Sequence, residues 1–84
     1  METKTQLRAG QSCPSQWAYG VVEKSSGGGY YGQIRGYDGL VHYFNMGYTQ
    51  FYPNGQGVWV GQQVSYAPFP QGDPRAGKAA CISS

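Results

Sequence analysis

Charge is scarce in this chain. Lysine, arginine, aspartate and glutamate together make up 12% of its 84 residues, and the acidic side chains are only Glu2, Glu23, Asp38 and Asp73. General acid–base and nucleophilic catalysis need titratable groups set close together. Here a single histidine, His42, has only Asp38 near it in sequence, and neither a nucleophile elbow nor a phosphate loop is present. The chain is therefore not expected to be an enzyme, has no candidate catalytic residue, and is expected to carry no cofactor. Cysteine is equally sparse. Cys13, Cys81 and His42 are scattered, whereas a structural zinc site needs four ligands with close pair spacing, so no metal site is expected.

Long apolar runs are also missing. No stretch has the length of a secretory leader or a membrane span, so the expected compartment is the cytoplasm, with no membrane association and with reduced thiols. A Cys13–Cys81 bridge is the alternative, since both cysteines flank expected terminal strands and a bond between them would pin the N-terminal segment. Helical periodicity is absent too, because glycine or proline interrupts nearly every window long enough to show it.

What the chain has instead is 14 glycines and 8 tyrosines, the composition of a turn-rich β domain. A chain this short supports one core. Residues 1–16 contain Lys4, Arg8, Gly10 and Pro14 with little apolar content and are expected to form a flexible arm, leaving 17–84 as the folded domain. Strands are expected from Trp17 to Lys24, Tyr30 to Arg35, Gly39 to Tyr43, near Gln62 to Ala67, and Lys78 to Ile82. Gly36-Tyr37-Asp38-Gly39 suits a hairpin turn, and residues 45–57 read as a long connection. Five strands without a helix predict an all-β fold, a small closed antiparallel barrel, because closure removes exposed strand edges.

Alternation along the second strand puts Tyr31, Gln33 and Arg35 on one face and Ile34 toward the core. On the third strand Val41 is expected inward, with Leu40 and His42 outward. Aromatic, cationic and imidazole groups gathered on a sheet face form a surface on which unpaired bases stack, with Lys24, Arg35, Arg75 and Lys78 available to phosphates. A net charge of +2 is compatible with a polyanionic partner without requiring one. The glycines of Gly27-Gly28-Gly29-Tyr30-Tyr31-Gly32 match dinucleotide-loop spacing by accident, since a strand follows them where that loop needs a helix. Trp59, the larger kind of aromatic in a small domain, is expected to cover a barrel end.

These segments resemble the cold-shock domain. Gly20, Val22, Tyr31, Gly32 and Ile34 stand in ungapped register with that family's first strand and its Gly-Phe-Gly-Phe-Ile ribonucleoprotein motif, and Val41-His42-Tyr43 matches its Val-His-Phe. Gly61-Gln62-Gln63-Val64-Ser65-Tyr66 is similar to the Gly-Gln-x-Val-x-Phe strand, and Ala79-Ala80-Cys81-Ile82 to the closing Ala-x-x-Val strand. The resemblance spans Tyr19 to Ile82. It implies a five-stranded OB-type antiparallel barrel that binds single-stranded RNA or DNA with low sequence specificity, and it implies that Tyr43 turns outward beside Tyr31 and His42. Lys24 and Ser25 stand where the family has Trp and Phe, Gln33 replaces the second Phe of the ribonucleoprotein motif, and Leu40 replaces the Phe before Val-His-Phe. The nucleic-acid-binding set implied is then Tyr31, His42 and Tyr43 for stacking, with Lys24, Gln33, Arg35 and Leu40 around them. The alternative function is a protein-interaction or self-association module, a homodimer for example, in which nucleic-acid binding has been lost with those aromatics.

Overall fold

The computed structural model describes residues 13–52 and 55–84, and the expected arm lies outside the described residues as far as position 12. The chain is all-β. Its strands are β1 (Ala18–Ser26), β2 (Tyr31–Gly36), β3 (Val41–Asn45), β4 (Gln50–Tyr52), β5 (Gln63–Pro68) and β6 (Ala79–Ser83). They form one six-stranded sheet in the order β3-β2-β1-β5-β6-β4. All pairings are antiparallel except β4 with β6.

Two expectations about architecture are corrected. The described residues form six strands, because Gln50–Tyr52, read as part of a connection, pairs in parallel with Cys81–Ser83. Phe51 is the cause: it is buried, edge-on to Tyr30 at 5.2 Å and to Phe44 at 5.9 Å. Thr49 fixes the approach, its hydroxyl accepting from Asn45 N–H (3.1 Å) and donating to the Ala79 carbonyl (2.7 Å). The barrel, moreover, is a curled open sheet. Between β3 and the β6 side of the seam, the described backbone shows one parallel bridge, Tyr43 with Lys78, and the bond from Tyr43 N–H to the Gly77 carbonyl (3.2 Å).

The concave side holds the core of Val22, Ile34, Phe44, Phe51, Val58, Val64, Tyr66, Ala79 and Ile82. Register shows which residues point there. Ile34 pairs with Val22 and with His42, and Gly32 with Phe44, so His42 and Phe44 share the inner side and Val41 and Tyr43 the outer one. This reverses the expected facing of Val41 and His42. Two apolar residues three positions apart cannot both face the core of one regular strand, and burying Phe44 removes more apolar area from water than burying Val41.

The convex side of β5 and β6 carries a second cluster, Ala67, Ala80 and Cys81, against which Cys13, Tyr52 and Phe69 pack. Cys13 and Cys81 are joined in a disulfide, with a Cα–Cα distance of 5.8 Å. The expectation of reduced thiols is thereby corrected. The Tyr52 hydroxyl lies 3.6 Å from Cys13 Sγ and is the donor there, since a disulfide sulfur has no proton. Trp59 is corrected as well: it is 58% exposed at a turn whose buried residue is its neighbour Val58. Among the described residues no helix is long and apolar enough to cross a membrane.

Candidate nucleic-acid interface

The outer face of β1, β2 and β3 is built around a bulge. Pairing shifts between Val22 and Lys24, so that Glu23 and Lys24 together oppose Gln33. Gly32 permits this, because a Cβ there would lie 2.6 Å from the Lys24 carbonyl carbon and 2.9 Å from the Phe44 ring. Across the face, Lys24 is level with Gln33 and Gln33 with Tyr43, and the Tyr43–Lys78 bridge continues the row. One row thus carries a cation, an amide and an aromatic ring, while the Lys78 ammonium turns to the Tyr48 ring at 6.0 Å. Tyr31, opposite Asn45, is the diagonal neighbour of Tyr43, a relation that puts Cα atoms about 7–8 Å apart, within reach of aromatic rings. The Tyr31 ring lies against Gly27, where a Cβ would come within 2.9 Å of ring carbon Cε1. Tyr31 and Tyr43 are 39% and 53% exposed, so both rings offer π surface to a partner.

Glu23 changes the electrostatics of this face. Its carboxylate accepts from Arg35 Nε (2.9 Å) and from Gln33 Nε2 (3.1 Å), while Arg35 also donates to the Gly39 carbonyl (3.0 Å). The Arg35 hydrogen bond, followed by that of Gln33, holds the Glu23 carboxyl below its ordinary range. Arg35 is therefore a tethered cation. Arg75 is likewise ion-paired, with Asp73 at 3.0 Å, and its guanidinium covers the Phe69 ring at 4.1 Å.

The structure brings Tyr31, Gln33, Arg35, Tyr43 and Lys24 together and separates two expected members from them. His42 lies on the inner side, its ring 5.2 Å from that of buried Tyr66, and Leu40 sits past the turn at the rim of a cleft that His42 also lines. Two residues of the face escaped the sequence reading. Tyr19, 61% exposed, pairs with Ser65 on the outer side, and alternation from Val22 already points it there. Glu23 carries the same signal: alternation from Val22 turns it outward beside Gln33 and diagonal to Arg35, which pairs with Val21.

Burial lowers the His42 pKa from its ordinary 6.5, with Asp38 acting weakly the other way, and no described residue hydrogen-bonds His42 Nδ1. The folded protein therefore binds this proton less readily than the unfolded chain. Stability is unaffected by His42 above pH 6.5 and declines as pH falls below that value, until His42 protonates in the folded state too. Thermal melts from pH 7 to pH 5 should show a falling midpoint. The His42→Gln variant should flatten that limb, whereas losses from Glu23 and Asp73, both held low by arginine partners, come only in the carboxylate range. An equal slope in wild type and variant would exclude His42 as the source.

No protein-family model matches the chain, and no curated protein matches it either.

Proposed function

We propose that this chain is a divergent cold-shock-like domain of OB type, and that the outer face of β1–β3 binds single-stranded RNA or DNA with low sequence preference. The observation that carries this reading is the diagonal pair of exposed rings, Tyr31 and Tyr43, set in a row with Lys24 and Gln33. Rings on a sheet surface accept any base, and cations beside them take the phosphates. The strand order and the parallel approach of β3 to the β6 side support an OB-type reading. His42 and Leu40 have no part in this platform.

Fluorescence titration with oligo-pyrimidine strands at two salt concentrations tests it. Tyr31→Ala or Tyr43→Ala should weaken binding about 5- to 150-fold, the range expected for losing one stacked base. Gln33→Phe should tighten it about tenfold by the same stacking argument. Glu23→Gln should also tighten it, most clearly at low salt, because an untethered Arg35 adds one phosphate contact and steepens the salt slope by about 0.7. His42→Ala should change nothing. Unaltered affinity in both tyrosine variants would remove this face as the binding surface.

A second reading, a protein-interaction module, is favoured by the Trp59-Val60 turn, where adjacent apolar side chains are 58% and 63% exposed. Absence of single-strand binding at low salt, together with a concentration-dependent dimer in ultracentrifugation that Trp59→Ala abolishes, would establish it instead.

A further inference from the structure

Below the Gly36–Gly39 turn the structure has a cleft of about 420 Å³, walled by residues 14–16, by Asp38, Leu40 and His42, and by the 68–71 segment including Phe69. That volume lies in the range of small-molecule sites, roughly 300–1,000 Å³. It is separate from the outer face.

The chemistry of its walls selects a ligand class. No lysine or arginine lines the cleft, and Asp38 is its one formally charged residue. Asp38 Oδ1 accepts the Leu40 N–H at 2.9 Å, an arrangement that fixes the carboxylate at the rim and leaves Oδ2 without a partner among the described residues. The neighbouring cations are committed elsewhere, Arg75 to Asp73 and over the Phe69 ring at 4.1 Å, and Lys78 toward the Tyr48 ring at 6.0 Å. The remaining wall mixes proline, leucine and phenylalanine with the side chains of Ser15, Gln16 and Gln71, and the His42 ring borders it. A carboxylate beside a cleft that is part apolar and part lined by amide and hydroxyl groups suits a positive, hydrogen-bonding head on a flat apolar body, and it repels anions.

We propose that this cleft binds a small organic cation of the arylamidine or aromatic-amine class, with Asp38 as the counter-ion and Phe69, Leu40 and the prolines holding the ring. The disulfide belongs to the site. Cys13 ties the segment that forms one wall, residues 14–16, to Cys81 on β6.

The probe is benzamidine, with benzoate and benzamide as its anionic and neutral counterparts of the same shape, titrated into the oxidised full chain and followed by amide chemical shifts in NMR. Saturable benzamidine binding is expected, with shifts at Ser15, Gln16, Asp38, His42 and Phe69, benzamide weaker, and benzoate without effect. Asp38→Asn keeps an oxygen for the Leu40 N–H but removes the charge, and should weaken benzamidine about tenfold. Tyr31→Ala, on the other face, should leave it unchanged. The proposal is overturned if benzamidine does not saturate, if benzoate binds as well, if Asp38→Asn has no effect, or if the shifts map to Tyr31 and Tyr43.

Discussion

Reduction of the Cys13–Cys81 disulfide should lower the melting temperature of this domain by about 20 °C. The bond joins residues separated by 68 positions in the chain. In the chain-entropy account, a loop of that length removes about 4 kcal/mol worth of freedom from the unfolded state. An 84-residue domain unfolds with an entropy near 2.1 cal/mol/K per residue, so each kcal/mol moves its midpoint by roughly 5–6 °C. Marginal domains have only about 5–15 kcal/mol in hand, and the loss is a large part of it. Circular dichroism melts with and without reductant measure the effect. β structure should persist in the reduced chain at low temperature, since the larger core on the concave side contains neither cysteine. A shift under a few degrees would mean that the pair contributes almost nothing to the folded state, and free thiols titrating in unreduced protein would mean that it is not formed.

The second large effect separates aromatics that hold the fold from those that do not. Phe44→Ala should cost about 3–5 kcal/mol, the range for removing a fully buried ring. Phe44 is 2% exposed, stacks edge-on with Phe51, and presses against Gly32 beneath the bulge. Its loss opens a cavity between β2, β3 and β4 and loosens the outer face above it. Trp59→Ala, by contrast, should stay within about 0.5 kcal/mol of wild type, as surface substitutions do. Urea midpoints at constant m-value measure both. Were Trp59→Ala the costlier change, Trp59 would have to be packed in solution, and the turn that exposes it would be misplaced.

The facing of β3 shows why part of the site was legible and part was not. On β2, glycine and isoleucine alternate with tyrosine, glutamine and arginine, so the hydrophobic pattern has one solution and Tyr31, Gln33 and Arg35 stand outward as expected. On β3, Val41 and Phe44 compete for opposite parities, and alternation alone does not choose between them, the larger apolar area of Phe44 being the one local bias. Pairing with Ile34 and Gly32 chooses Phe44, and carries His42 inward with it. Tyr43 then stands outward by ordinary alternation. The same limit applies to β4, whose three residues pair with β6 some thirty positions away only because Phe51 finds Phe44 and Tyr30.

Local chemistry thus settled the all-β class, the β2–β3 hairpin and the outward tyrosine and cation of β2, because strand period and turn preference act over a few residues. Contacts between distant segments decided the rest. The sixth strand and the open seam depend on which long-range pairings are completed. The tether of Arg35 by Glu23 depends on the register of β1 against β2, and the Cys13–Cys81 bond on two distant segments meeting at β6. Each is a comparison of burial and geometry among residues far apart in sequence, and only the folded chain brings those residues close enough for the comparison to be made.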